Sequence, residues 1–238
     1  MTQGLLTMIE GMDGAGKGTI VDTMVKELEA RGKSVFDIRK FEKEHHHRPS
    51  FTDVESSAIC VAAEPTLSGI GQDIREHLIR SETDYVPLSI AHAYAVDREI
   101  LYRELLVPAR LRGIHCIEER GVVSSLVFQA IYGSLPLADI AALPGNAFAL
   151  LNPPDVLVIV TVDPKRAVER SVLREKSDHA LFEREEFQRL VRQAYLAPEL
   201  RTMFEERGTK VFTFDTGGDI SETRTFAKSL ANDILAAR

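Results

Sequence analysis

Tryptophan is absent from the 238 residues, aromatics of all kinds make up only 7%, and there are two cysteines. Cys60 and Cys116 sit among apolar neighbours, so they offer no disulfide framework and read as reduced core residues of a cytoplasmic protein. No apolar run approaches the ~20 residues that cross a bilayer. The longest is Val156 to Val162, and the first residues lack the basic-then-apolar order of a signal peptide. Positive charge is also in short supply. Lys and Arg total 29 against 36 Asp and Glu, and the net charge of -7 has the wrong sign for coating a nucleic-acid backbone. What is present is 44% hydrophobic and 27% charged, enough for a sizeable core held without metals or disulfides.

Short apolar runs alternate with stretches of helical period, the pattern of an α/β protein with a parallel sheet. Strands are predicted over Leu5 to Glu10, Val35 to Arg39, Ile59 to Ala62, Ile114 to Glu118, Val156 to Val162 and Val211 to Asp215. Ile20, Val21, Met24, Val25 and Leu28 share one face of the first helix, which should end near Gly32. Further helices are predicted over Ile70 to Arg80, Leu88 to Arg112, Ser124 to Tyr132, Pro164 to Lys176, Glu185 to Glu206 and Ile220 to Ala236. No repeat or linker divides the chain, so residues 1–238 are expected to form a single domain. Phe41 to Ser57, with His45, His46 and His47, reads as a solvated surface insertion. Gly133 to Asn152 should hold one short helix.

The sharpest signal is Gly11-Met12-Asp13-Gly14-Ala15-Gly16-Lys17-Gly18-Thr19, between the first strand and the first helix. Glycines let successive backbone N–H groups curl around a phosphate, the helix start adds positive potential, and Lys17 is expected as an unpaired cation for the outer phosphates. Gly11, Gly14, Gly16, Lys17, Gly18 and Thr19 are therefore the candidate ATP-binding set. Gly18 takes the position where the general pattern has a metal-ligating Ser or Thr, and the hydroxyl follows on Thr19.

Beyond the loop the chain resembles thymidylate kinases in several places and in the right order. Glu10 to Lys17 is similar to that family's loop, with its acidic residue at Asp13. Glu64-Pro65 and then Ile70-Gly71-Gln72-Asp73-Ile74-Arg75 resemble its Arg-Glu-Pro segment and the stretch after it, but Ala63 replaces the Arg. Tyr94 to Arg98 resembles its aromatic-x-x-Asp-Arg, and Tyr94 and Arg98 share a helix face. Glu118-Glu119-Arg120, then Ser124, Ser125, Phe128 and Gln129, resemble its strand-end carboxylate and arginine with the helix that follows; Glu119 replaces an Asp and Gly121 an aromatic. Asp163-Pro164 opens the segment that resembles the mobile lid, about 170–184, with Arg170 and Arg174, and His179 replaces a frequent Arg.

The resemblance implies a three-layer P-loop fold with a five-stranded parallel core sheet, helices on both faces and a helical lid. It implies γ-phosphoryl transfer from ATP to dTMP with Mg²⁺, in a homodimer that touches no nucleic acid or membrane. Lys17, Arg120, Arg174 and Asp13 would be catalytic, and Arg170 would join the ATP site. Thr19 and Glu119 would hold the metal. Glu64, Arg75, Tyr94, Arg98, Arg120, Ser124, Ser125, Phe128 and Gln129 would bind the acceptor, with Phe128 crowding a 2′-hydroxyl. Two other readings stay open. One is a deoxynucleoside kinase using Glu10 or Glu64 as base; the other is a nucleotide-binding regulator that has lost catalysis.

The loop has Gly14 and no arginine, which leaves the lid to supply the transition-state cation. Arg174→Ala should lower kcat on the order of 10³-fold with little change in acceptor KM. A wild-type kcat would remove Arg174 from the lid's machinery.

Overall fold

The computed structural model describes residues 3–80, 84–173 and 185–236, with backbone alone for 171–173. Its centre is a parallel sheet of β1 (Leu6–Gly11), β2 (Val35–Asp37), β3 (Ile59–Ala63), β4 (His115–Glu119), β5 (Val156–Thr161) and β6 (Lys210–Asp215), ordered β2-β3-β4-β1-β5-β6. Every residue of β1 is buried, as expected for a central parallel strand with helices on both faces. All six strand candidates join this sheet, so the expected five-stranded core is one short. The marginal member is β2, a half-buried edge of three residues paired only to β3 through Val35, Phe36 and Asp37.

Helix α1 (Lys17–Ala30) buries the predicted stripe of Ile20, Val21, Met24, Val25 and Leu28. The supposed insertion 41–57 is not a solvated loop: α2 (Ile38–His45) and α3 (Phe51–Val54) occupy it. Glu42 and Val54 are buried, and the Glu42 carboxylate accepts from Leu67 N and Ser68 Oγ, an inward contact that a reading of polar composition alone could not give. Next come α4 (Gly69–Asp73) with a π-type turn over Ile74–Leu78, then α5 (Pro87–Leu101). A second π-type stretch, Tyr102–Leu106, leads to α6 (Val107–Leu111). Pro108 has no amide donor, which accounts for a helix that changes register before it.

Helix α7 (Val122–Gly133) follows β4. Gly133 to Asn152 holds two helices rather than one, α8 (Leu137–Ala142) and α9 (Pro144–Leu151), with Pro144 starting the second. Then come α10 (Pro164–Leu173), α11 (Glu185–Tyr195), α12 (Pro198–Glu205) and α13 (Ile220–Ala236). The single helix expected over 185–206 breaks at Pro198 for the same reason.

Beneath the carboxyl end of the sheet lies a buried polar knot. The Arg98 guanidinium, 0% exposed, donates to both carboxylate oxygens of Glu64, to Asn146 and to the carbonyl of Gly121. Glu118 accepts from Tyr102 Oη at 2.9 Å and faces Glu64. One arginine faces two carboxyls. Burial, with Glu64 adding repulsion, pushes Glu118 well above the usual carboxylate range, and burial brings Glu64 up to about 7. Glu118 Oε1 has no donor among the described residues, and a proton held there turns it into a donor toward Glu64.

Because the folded carboxyls bind protons more tightly than the unfolded ones, their contribution to stability is fullest below the ordinary Glu pKa and is lost as pH rises through about 7. Glu118→Gln keeps the hydrogen bonds without that titration. Its melting temperature relative to the natural protein should therefore rise between pH 5 and pH 8; a difference independent of pH would show that Glu118 carries no proton in the fold.

Candidate active site

The site is built where β1, β3 and β4 run out. The loop from Gly11 to Gly16 turns back on itself with Gly11 at φ 139° and Gly14 at φ 72°. A Cβ at Gly11 would sit 2.0 Å from the Val160 carbonyl oxygen, and one at Gly14 would sit 2.3 Å from that of Ala167, so glycine is required twice over. Lys17 opens α1 and folds inward at 5% exposure. It is not the unpaired cation expected from the sequence, because its ammonium donates to the carbonyls of Gly11 at 2.9 Å and Met12 at 2.7 Å. Burial, with the Arg120 guanidinium nearby adding repulsion, lowers its pKa to about 7. Asp13, Glu119 and Glu10 pull the other way and do not make up the loss.

Arg120 follows β4 in a left-handed conformation, φ 66°, with its amide held by the Ile9 carbonyl. Its guanidinium donates to Gly11 O, Ser124 Oγ and Asp13. Burial alone would raise the Asp13 pKa, but Arg120 and Lys17 outweigh it and keep the carboxylate below its usual value, with Gln188 hydrogen-bonded to it as well. Glu10 is spent on structure: Gly121 N, Ser124 N, Ser124 Oγ and Tyr195 Oη all donate to it. A carboxylate engaged by four donors is a helix-start anchor for α7 and a poor candidate for a base.

On the other side of the cleft Arg75 donates to the Pro65 and Thr66 carbonyls, and the neighbours that act on its charge include Tyr94, Arg120 and Glu119. Tyr94 is half-buried; burial, against the opposing pull of Arg75 and Arg120, raises its hydroxyl to about 12. Phe128 is buried with the Arg120 guanidinium 5.5 Å over its ring and Tyr195 edge-on at 6.3 Å. Ser125 Oγ and Gln129 Oε1, both on α7, are buried with no hydrogen-bond partner among the described residues. Buried polar atoms left in this way need a partner, whether water or a bound ligand.

Asp13, Lys17, Arg75, Tyr94 and Arg120 are thus brought together, and Ser125, Phe128 and Gln129 are buried on α7, with Phe128 under the Arg120 guanidinium. Glu64 and Arg98 lie below it, inside the buried knot. Arg170 is at the rim, where it donates to Thr216 Oγ1 at 3.1 Å and Thr216 O at 2.9 Å. Arg174 and His179 fall outside the described residues.

Sequence reading missed Thr216, whose hydroxyl donates to Ala15 O and ties the loop to the end of β6; a polar residue straight after a strand was its only signal. It also missed Arg39, which bonds Glu119, and Arg48, which bonds Asp97 and Thr66. Arg48 comes from the stretch read as solvated, and Arg39 from the end of a predicted strand that is the start of α2 instead.

Glu119 ends β4 beside Gly18, and a Cβ on Gly18 would lie 3.5 and 3.6 Å from its two carboxylate oxygens. Thr19 is in the first turn of α1. One carboxylate and one hydroxyl at a phosphate loop are hard oxygen donors that suit Mg²⁺, which keeps waters and takes few protein ligands. The described residues include no cluster of three or more His, Cys, Asp or Glu placed to hold a metal by themselves. They also include no helix long and apolar enough to cross a membrane.

The thymidylate kinase family profile matches residues 49–224, a stretch that does not include the phosphate loop. The chain is 28% identical to the thymidylate kinase of Deinococcus radiodurans over 196 residues, covering 82% of this chain and 83% of that one. It is 27% identical to the thymidylate kinase of Caldanaerobacter subterraneus, covering 82% and 81%. With that of Caldicellulosiruptor saccharolyticus the identity is 25%, over 99% of this chain and 100% of the other. The family match and the geometry of the loop therefore rest on different parts of the molecule, and together they place this chain in the thymidylate kinase family.

Proposed function

We propose that the protein transfers the γ-phosphoryl group of ATP to dTMP, giving dTDP and ADP. The observation that carries this reading is the convergence of Lys17, Arg75 and Arg120 on one cleft, beside a half-buried Tyr94 and two unpartnered polar atoms on α7. Three cations near one another for phosphate, and an aromatic with polar groups beside it for a base, are what a nucleoside monophosphate kinase needs. The chemistry is positioning and charge neutralisation.

In this reading the loop amides and Lys17 hold the β- and γ-phosphates, and the ammonium exchanges two carbonyls for full negative charges. Arg120 lies between donor and acceptor, where it spreads the charge that develops during transfer, and Asp13 fixes its orientation. Arg75 and Arg120 take the acceptor phosphate. Tyr94 stacks on the base, Gln129 Oε1 accepts from the base N–H, and Ser125 hydrogen-bonds a carbonyl on its edge. Ser124 and Glu64 act from behind, the first by holding Arg120 and the second by anchoring Arg98. Arg98 in turn fixes the Gly121 carbonyl at the start of α7, so it shapes the base slot without entering it. Thr19 and Glu119 would hold Mg²⁺, which when bound supplies positive charge to the phosphate oxygens. Arg170 steadies the rim from α10, and Arg174 supplies the lid cation.

Phe128 presents its ring to the acceptor sugar and excludes a 2′-hydroxyl. A homodimer through α5 suits that helix, where Val86, Leu88 and Val96 are exposed large hydrophobics at or near its start and middle.

Turnover with dTMP, dUMP, their ribose counterparts and the free nucleosides tests the reading. Phosphorylation confined to monophosphates is expected. Activity on nucleosides alone would identify a deoxynucleoside kinase, and none at all a regulator. An unpaired buried hydroxyl costs ~1–3 kcal/mol, so Phe128→Ala should narrow the deoxy-over-ribo ratio of kcat/KM on the order of tenfold; an unchanged ratio would take Phe128 out of the sugar site.

A further inference from the structure

Two departures from the general phosphate-loop pattern look independent in the sequence and meet in space. Residue 18 has no side chain where the pattern puts a metal-ligating hydroxyl, and residue 119 is a Glu, one methylene longer than the Asp that usually ends this strand. The two Glu119 oxygens lie 3.5 and 3.6 Å from where a Cβ of residue 18 would be. The longer carboxylate therefore rests against the space that the missing side chain leaves free.

A third residue holds it there. β2 ends at Asp37, which pairs with Val61, and α2 begins at once, so Arg39 sits in its first turn at the carboxyl end of the sheet, with β3 between β2 and the strand that carries Glu119. Arg39 Nη1 donates across that strand end to Glu119 Oε2 at 3.3 Å. The guanidinium is anchored at its other side by Asp37, through Nε at 3.0 Å and Nη2 at 3.0 Å, and by Asp22 at 3.0 Å. With four acceptor contacts on three carboxylates, Arg39 is a fixed post. Only Oε2 of Glu119 is bound to it, so Oε1 keeps its lone pairs for the loop side.

We propose that Arg39 is a positioning residue that holds Glu119 in the space vacated at Gly18, so that this carboxylate, with Thr19, would serve a metal position that lacks both the usual strand-end Asp and the usual hydroxyl at residue 18. The inference rests on the reading of residues 11–19 as a Mg²⁺·nucleotide loop and not on the identity of the acceptor. Hydrogen bonds that orient a metal-binding carboxylate are commonly worth 10- to 100-fold in metal affinity, whereas a cation that merely competed with the metal would have the opposite effect when removed.

The test measures ADP binding by calorimetry in EDTA and in excess Mn²⁺, with no acceptor present. The ratio of the two dissociation constants reads metal coupling; the EDTA value alone reads an intact loop. Loss of dTMP turnover in the natural protein would sink the acceptor assignment and leave this ratio untouched. Arg39→Ala should keep its EDTA affinity and lose about tenfold or more of the coupling, and Arg39→Lys should recover part of it. Glu119→Asp should lose coupling by a similar factor because its carboxylate retreats from the gap, and adding Gly18→Thr should restore most of it. Unchanged or stronger coupling in Arg39→Ala overturns the proposal. So does a Gly18→Thr/Glu119→Asp protein no better than Glu119→Asp, or natural protein with no coupling at all.

Discussion

Positive charge that the fold does not neutralise is the constraint around which this molecule is arranged. At the carboxyl end of β1, the hydrogen-bond partners of Lys17 among the described residues are two carbonyls; Asp13, Glu119 and Glu10 act on it without an ion pair, and Arg120, close enough to repel it, has Asp13. Burying an ammonium is costly, and burial with the repulsion of Arg120 outweighs the pull of Asp13, Glu119 and Glu10, so its pKa falls to about 7. A fold keeps such a group only where something else completes it. The polyphosphate of a nucleotide does so, and the glycines at 11 and 14 are what allow the backbone to come close enough to share the task.

The same region shows how a structure can absorb the loss of family residues without losing a site. Read one at a time along the chain, Ala63 and Glu119 each weaken the resemblance, and Gly18 departs from the general loop pattern. In three dimensions Gly18 makes room for Glu119, and Arg39 reaches across to bond it. Gly121, where the family carries an aromatic, has a matching reason: a Cβ there would meet the Met8 side chain at 2.6 Å and the Glu118 carboxyl at 3.1 Å. Beneath them the Arg98–Glu64–Glu118 knot supports the cleft. A buried ion pair is weak evidence of stability, but it fixes where the start of α7 lies.

Much of the fold was legible because its signals are local. Strand positions followed from apolar runs, the loop from its glycines, and α1 from a stripe at helical spacing. The misses share one cause. Nothing in the order of residues 38–57 says that Glu42 points inward to cap Leu67 and Ser68, since that depends on a segment 25 residues away. Nor does spacing reveal that Arg98, four residues from Tyr94, turns to a buried glutamate while Tyr94 stays in the cleft. Composition marked the polar stretch as solvent-facing, and tertiary partners decided otherwise.

The central claim is that Lys17 is a buried cation completed by phosphate, and its own titration tests this most directly. With lysine ε-carbons labelled with ¹³C and the signal assigned through Lys17→Arg, the Lys17 resonance should titrate near pH 7 in the free protein. On saturation with ADP its pKa should rise by well over a unit, as phosphate charge replaces the carbonyls. A free-protein value near the ordinary 10.5, or one that ADP leaves unchanged, would contradict the account.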